Sequence, residues 1–196
     1  GMKHAVAGLA TPRAALARCK LISHRGEHDN ITVMENTLQA YDIAADSGVW
    51  GIEGDIRWTA DLVPVICRDA DPGRVFGINA ALCTLSFEEL RATVPQIPRL
   101  DEVIKRFGGK THLMLEVKSE PWPQPQQQRK ILLDVLAPLS PIADYHILGL
   151  DTALFAPLDF LPAACFFPVA ETNVKKLSRE ALACGYGGLG GHYLLL

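Results

Sequence analysis

Six residues of the kinds that handle phosphate esters occur in the first two thirds of the chain, each close to a short apolar segment. They are His24, Arg25, Glu53, Asp55, Glu116 and Lys118. An imidazole can carry a proton, carboxylates bind hard cations, and Arg and Lys bind phosphate oxygens. The set predicts a phosphate-ester site at the ends of several strands.

The three acids are candidate metal ligands. Glu53 and Asp55 are two residues apart in a strand-like segment, so their side chains leave the same face, and Glu116 could join them from another strand. Oxygen ligands of this kind suit Mg2+ or Ca2+. The alternative is that these are ordinary strand-end acids paired with Arg57 or Lys118.

The basic residues and the histidine are candidates for substrate binding and proton transfer. Arg25 offers a fork for a phosphate oxygen, Lys118 adds a second cation, and Gly26 would let the backbone approach a ligand closely. His24 alone is more often a hydrogen-bonded structural residue than a catalyst. Its position beside Arg25 favours proton transfer.

These residues must be positioned by alternating strands and helices. Strand-like segments occur at 21–23, 50–56, 62–67, 112–117, 145–150, 164–169 and 185–190. Helix-like patterns begin near residues 38, 86, 100, 126 and 178. Glu35 is interpreted as an electrostatic start for the first helix and Asn36 as its cap. Such alternation predicts an α/β fold with a parallel sheet, and seven strands favour a TIM-type barrel whose catalytic groups lie at the C-terminal strand ends.

Composition and charge restrict the kind of protein. The chain has 196 residues, of which 48% are hydrophobic, and a formal net charge of -3. We therefore expect one domain over residues 1–196, with 1–18 as a helical or capping segment. Clustered basic residues are lacking, so nucleic acid is not an expected partner. The predicted partner is a small-molecule phosphodiester.

Cysteine usage and the chain start bear on location. The five cysteines are odd in number and widely spaced, which indicates reduced, mostly buried thiols and a cytoplasmic protein. We expect no signal peptide and no transmembrane segment, because no apolar run is long enough. Gly1 precedes Met2, which is typical of a cloning remnant, so a native start at Met2 is expected.

Five short motifs together resemble the glycerophosphodiester phosphodiesterase family. In chain order they are His24-Arg25-Gly26, Glu35-Asn36-Thr37, Glu53-Gly54-Asp55 with Thr59 and Asp61, Val63-Pro64-Val65, and Leu115-Glu116-Val117-Lys118. The resemblance covers roughly residues 21–118 and fades afterwards. It implies a barrel that hydrolyses glycerophosphodiesters to glycerol phosphate and an alcohol, with a divalent cation at Glu53, Asp55 and Glu116.

The resemblance also implies two proton-transferring histidines. His24 matches the first, but Arg68 stands where the family has the second, and Met34 replaces a usual proline. A guanidinium stays protonated near neutral pH, so Arg68 can bind phosphate but cannot transfer a proton. His28 or His146 would have to supply that function.

Three interpretations follow. The chain is an active or weakened metal-dependent phosphodiesterase, or a degenerate relative that binds a phosphorylated small molecule without cleaving it. The third is an unrelated barrel, such as a carbohydrate enzyme or an aldolase-type enzyme with a Schiff base on Lys118.

The C-terminal end predicts an incomplete barrel. A complete eight-stranded barrel typically needs about 250 residues, and this chain ends just past its seventh predicted strand. The missing unit would leave open sheet edges. We expect residues 1–18 or a second copy of the chain to close them, which makes a homo-oligomer one expected outcome.

Overall fold

The computed structural model describes residues 19–191, which form a curled, mostly parallel sheet backed by helices. The strands are β1 (Ile22–His24), β2 (Gly51–Trp58), β3 (Pro64–Ile66), β4 (His112–Val117), β5 (Tyr145–Gly149), β6 (Phe166–Ala170) and β7 (Gly190–Gly191). The α-helices are α1 (Leu38–Asp46), α2 (Gly73–Phe76), α3 (Phe87–Thr93), α4 (Leu100–Phe107), α5 (Pro125–Leu136) and α6 (Val174–Cys184). Three 3-10 turns span Leu82–Thr84, Thr152–Leu158 and Ala163–Cys165.

Six of the strands run parallel in the order β1, β2, β4, β5, β6, β7 and form half of an α/β barrel. The predicted incomplete barrel is confirmed. The sheet has the predicted seven strands, but β3 pairs antiparallel with β2, placing Ile56 opposite Ile66, so the expectation of a wholly parallel sheet was wrong for β3. The turn between them is too short for the crossover that a parallel neighbour needs.

The two faces of the sheet have different chemistry. Ile52, Ile56 and Leu115 are almost fully buried on the face that packs against the helices. Glu53 and Asp55 alternate with these isoleucines, so their side chains project from the other, concave face. This period-two pattern is what brings the acids to the inside of the half barrel.

Most predicted elements are confirmed, with shifts at their ends. Helix α4 and strand β4 occur as predicted, and α3 begins with the expected capping box of Ser86 and Glu89. Of the seventh predicted strand, residues 185–190, only Gly190 belongs to a strand within the described residues, in β7 (Gly190–Gly191). The prediction of mostly buried cysteines was wrong: two of the five cysteines are buried and three are exposed.

Both sheet edges are unpaired within residues 19–191. Leu21 and Ile22 at the β1 edge have exposed fractions of 70% and 41%. The expected closing segment, residues 1–18, lies outside the described residues. In the described ranges, no helix has the length and apolar character to cross a bilayer.

Gly54 allows strand β2 to pass directly under helix α1. A Cβ atom at this position would overlap the hydroxyl oxygen of Tyr41 and lie 3.4 Å from Oδ1 of Asn36. The glycine between the two acids of β2 is therefore required by packing.

We expect Gly54→Ala to lower the free energy of unfolding by about 1 to 3 kcal/mol, the usual cost of overfilling a packed core. The double variant Gly54→Ala, Tyr41→Phe should be more stable than the two single effects predict, because the second change removes the overlapping hydroxyl. Urea unfolding of the four proteins measures this. Strictly additive effects would contradict the proposed contact.

Candidate active site

Three carboxylates meet on the concave face of the sheet. Asp55 of β2 and Glu116 of β4 are paired neighbours on adjacent strands. Glu53 lies two residues before Asp55, on the same face of β2. One oxygen from each of the three lies within 4.8 Å of the other two. The sequence prediction that these acids converge agrees with this geometry.

Lys118 is in direct contact with this cluster. Its Nζ donates to Oδ1 of Asp55 at 3.1 Å and to Oε1 of Glu116 at 2.6 Å. Burial alone would lower the pKa of Lys118, but the two carboxylates outweigh it and raise the pKa. The amine is therefore protonated at neutral pH, and its ion pairs match the alternative in which Lys118 balances the acids.

Arg57 does not join the cluster, contrary to that same alternative. Its Nη1 donates to Glu120 at 2.6 Å and its Nε donates to the backbone carbonyl of Arg68 at 2.9 Å. The acids therefore lack Arg57 as a counter-ion.

Glu53 is the least satisfied of the three acids. Its Oε2 accepts the backbone N–H of Arg25 at 3.1 Å, whereas its buried Oε1 has no hydrogen-bond partner. Burial, followed by the charges of Asp55 and Glu116, raises the pKa of Glu53 well above its ordinary value. A buried acceptor without a donor is costly, so this position fits a cation.

Asp55 is held in place by Asn36. The amide Nδ2 donates to Oδ2 of Asp55 at 2.8 Å, and the hydroxyl of Tyr41 donates to Oδ1 of Asn36 at 2.9 Å. Asn36 has a φ of 57°, in the left-handed region. The prediction that Asn36 caps the helix was wrong, since the N-cap is Thr37, whose hydroxyl accepts from the backbone N–H of Ala40.

Glu35 forms ion pairs with arginine side chains. The prediction that its charge stabilises the start of helix α1 was therefore wrong. Glu35 is buried, it accepts from Asn30 at 2.8 Å, and it pairs with Arg25 at 3.3 Å and with Arg74. Burial would raise the pKa of Glu35, but these hydrogen bonds and charges outweigh it and lower the pKa to about 2. Glu35 is thus ionised throughout the physiological range.

Arg25 is shared between two acids. Its Nε lies 3.4 Å from Oδ2 of Asp55, its Nη1 points at Glu35, and its φ is 59°. A Cβ at Gly26 would lie 2.7 Å from the backbone of Ala40, so the glycine allows a close approach to α1. Its predicted approach to a ligand stays a prediction.

Sequence reasoning missed Arg74, which connects Glu35 with the segment after β3. Its Nε donates to Oδ2 of Asp69 at 2.7 Å, while Oδ1 of Asp69 accepts from Arg68 at 2.9 Å. Arg68 itself is 43% exposed at its side chain and sits at the outer end of this chain of ion pairs. Arg74 lies in a short helix without a distinctive motif, so the sequence carried no signal for it.

His24 lies at the open side of the cluster. Its Nε2 is 3.8 Å from Oε2 of Glu53, and its side chain is 69% exposed. Partial burial, followed by the charge of Arg25, lowers the pKa of His24 below 6.5. The ring is mainly neutral at pH 7 and can accept a proton.

The two alternative histidines differ in position. His28 is close enough to His24 to influence its pKa, and its buried Nδ1 has no hydrogen-bond partner. His146 packs between two other rings: its Nδ1 is 2.7 Å from Nε2 of His112, and its ring meets that of Phe167 edge to face, with centroids 4.8 Å apart. His28 is thus the one that interacts with His24, whereas His146 lies on β5 beside His112.

We expect NMR titration of metal-depleted protein to give His24 a pKa below 6.5, and Arg25→Gln to raise it, because the substitution removes a neighbouring positive charge. Protonation of His24 would then occur only as the pH falls below 6.5. His146, whose pKa is lowered to about 4 mainly by burial, serves as an internal reference that should not respond. An unchanged His24 titration in Arg25→Gln would contradict the assigned charge effect.

The half-barrel fold and the acidic residues at its strand ends define a class of protein. Comparison with known proteins identifies the family within that class. A sequence model of the Glycerophosphoryl diester phosphodiesterase family matches residues 24–149. The chain belongs to this family, since the match covers more than half of it. Glycerophosphodiester phosphodiesterase 1 from Bos taurus is 40% identical over 79 residues, which is 40% of this chain and 23% of that protein.

Solved structures show the same fold at lower identity. The glycerophosphodiester phosphodiesterase from Thermotoga maritima matches with a TM-score of 0.73 at 18% identity, covering 88% of this chain and 73% of that one. An Oleispira antarctica phosphodiesterase, solved in complex with the product sn-glycerol-3-phosphate, also gives a TM-score of 0.73, at 20% identity, covering 93% of this chain and 78% of that one.

Proposed function

We propose that this chain is a metal-dependent phosphodiesterase that cleaves glycerophosphodiesters to glycerol phosphate and an alcohol. One observation carries the proposal: the buried Glu53 and Asp55 converge with the partly buried Glu116, one Glu53 oxygen has no partner, and a neutral imidazole and two cations lie beside them. Membership of the family supports the reaction class.

The acids suit a divalent cation. Glu53, Asp55 and Glu116 would hold Mg2+ or Ca2+, since all three offer oxygen and the unpartnered Oε1 of Glu53 would gain a ligand. When bound, the cation would polarise the phosphoryl oxygens. In this proposal, Asn36 keeps Asp55 in a fixed orientation through its hydrogen bond.

The other residues act on the phosphate and the proton. Arg25 and Lys118 lie on either side of Asp55 and supply positive charge to the phosphate oxygens. Nε2 of His24 accepts a proton from the attacking water, because the ring is mainly neutral and open to the solvent. The water oxygen bonds to phosphorus as the bond from phosphorus to the leaving alcohol breaks. Leaving-group protonation needs a second group.

The presence or absence of a group that protonates the leaving alcohol decides between hydrolysis and binding without cleavage. Arg68 stands where the family has its second histidine and cannot give up a proton, and its guanidinium is held by Asp69. This observation favours a second candidate function, in which the chain binds a phosphodiester and releases it uncleaved. His28, close to His24, is the residue that would restore hydrolysis.

The activity is tested by incubating purified protein with glycerophosphocholine and an aryl phosphodiester, each with Mg2+, Ca2+ or chelator. Metal-dependent release of glycerol phosphate supports the proposal. Binding without cleavage under every condition would establish the second candidate.

We expect Arg68→His to raise kcat more than it changes KM, because an added imidazole acts only as a proton moves. The gain should stay within the ~10²–10⁴ range of a general acid or base. Arg68→Gln is the matched control, which removes the charge without adding a proton carrier. A high wild-type kcat that falls in Arg68→His would show that another residue, such as His28, carries the proton.

We expect Glu53→Gln and Asp55→Asn each to weaken Mg2+ or Ca2+ binding at least ~10-fold in calorimetry, since even supporting residues of metal sites have effects of this size. Asp42→Asn is the control, because Asp42 pairs with Arg106 on the surface. Unchanged affinity in both site variants would remove the metal assignment.

We also propose that the open β1 edge is covered in solution, by residues 1–18 or by a second copy of the chain. Exposed Leu21 and Ile22 beside unpaired backbone support this. Light scattering and unfolding of the chain lacking residues 1–18 test it. A monomer whose stability is unaffected by that deletion would refute the proposal.

A further inference from the structure

Arg74 takes no part in the proposed reaction, yet its side chain is fixed in the middle of the ion-pair network beside the site. Two of its nitrogens contact the carboxylate of Glu35: Nη2 donates to Oε1, and Nη1 donates to Oε2 at 3.4 Å. Its Nε donates to Oδ2 of Asp69 at 2.7 Å, and Arg68 holds Oδ1 of Asp69 at 2.9 Å. The Arg74 guanidinium is therefore held on two sides.

Arg25 is held less firmly. Its Nη1 lies 3.3 and 3.4 Å from the two oxygens of Glu35, and its Nε lies 3.4 Å from Oδ2 of Asp55. Hydrogen bonds from nitrogen to oxygen are usually about 2.7 to 3.2 Å long, so these contacts are weak. The Nε atom is also buried and has no hydrogen-bond partner. A guanidinium in this state would gain from a phosphate oxygen placed next to it.

Both arginines share one carboxylate, that of Glu35. The side chain of Glu35 is only 4% exposed, so its charge is poorly screened by water. Burial would raise the pKa of Glu35, and the hydrogen bond from Arg74 is the largest of the interactions that outweigh burial and lower the pKa to about 2. If Arg74 were absent, this ionised carboxylate would attract Arg25 more strongly and hold it away from a phosphate.

We propose that Arg74 is a positioning residue: it neutralises Glu35 and thereby leaves Arg25 available to the phosphate of the substrate. The inference rests on the proposed function, in which Arg25 supplies positive charge to the phosphate oxygens. Asp69 and Arg68 support this role indirectly, because they hold the Nε side of Arg74.

A double-mutant cycle on Arg74 and Glu35 tests the inference. The four proteins are the wild type, Arg74→Gln, Glu35→Gln and the double variant. Calorimetry with Mg2+ and with Ca2+ measures the binding of glycerol 3-phosphate, which carries a phosphate but no diester bond to cleave. Arg106→Gln is the matched control, because Arg106 also donates two N–H groups to one carboxylate, that of Asp42 on the surface.

Arg74→Gln should weaken the binding of glycerol 3-phosphate by ~10-fold or more, the size expected for one hydrogen bond to a charged group. In the Glu35→Gln protein the same change should weaken it by less than about threefold, since no carboxylate remains to attract Arg25. Arg74→Lys should recover part of the affinity, because it keeps the charge and loses the fork of donors. Arg106→Gln should stay within about twofold of the wild type.

The kinetics of glycerophosphocholine cleavage give a second measurement. Arg74→Gln should raise KM more than it lowers kcat, because Arg25 contacts the phosphate in the ground state and in the transition state alike. Damage to the fold would instead lower the amount of active enzyme, which reduces the apparent kcat and leaves KM unchanged.

Two results would overturn the positioning role and leave hydrolysis intact: unchanged binding in Arg74→Gln, or a loss that is equally large in the Glu35→Gln protein. Should Arg74→Gln fail to fold, Arg74→Lys takes its place in the cycle, with the same expected difference between the two backgrounds. Absence of turnover in the wild type overturns the hydrolase, and the binding cycle then still decides the role of Arg74. A wild type that binds no glycerol 3-phosphate overturns both proposals.

Discussion

The concentration of negative charge at the end of β2 and β4 is the constraint on which the site depends. Glu53, Asp55 and Glu116 converge in a region largely shielded from water, where like charges repel strongly. The protein offsets this with Lys118 and Arg25, and with the amide of Asn36. Burial, followed by the charges of Asp55 and Glu116, raises the pKa of Glu53, so proton uptake by Glu53 or a bound cation would supply the remaining compensation.

This compensation explains local features that would otherwise be unfavourable. Arg25 and Asn36 both adopt a positive φ, which costs free energy in residues with a Cβ atom. Both side chains contact Asp55, and Tyr41 holds Asn36 from the other side. Packing on α1 thus fixes the orientation of an acid on the neighbouring strand, and Gly54 provides the space for this contact.

Local chemistry made much of this predictable from sequence. The period-two pattern of β2 placed Glu53 and Asp55 on one face, and the helix signals at Ser86 and around residues 100–107 were reliable because capping and amphipathic spacing are local. The direction of β3, the partners of Glu35 and Asn36, and the involvement of Arg74 depend on contacts between distant segments. Neither composition nor spacing encodes such contacts.

All the charged residues assigned to the site precede β5, whereas the sheet continues through β7. The family match likewise ends at residue 149, where β5 ends, although the fold likeness to the Oleispira antarctica structure covers 93% of the chain. The later strands have only to fill the interior with side chains and to alternate apolar with polar residues. Many sequences meet those requirements. Sequence in this half can therefore vary while the half-barrel fold is kept, and proteins that share the fold can be recognised by shape after their C-terminal sequences have become unrelated.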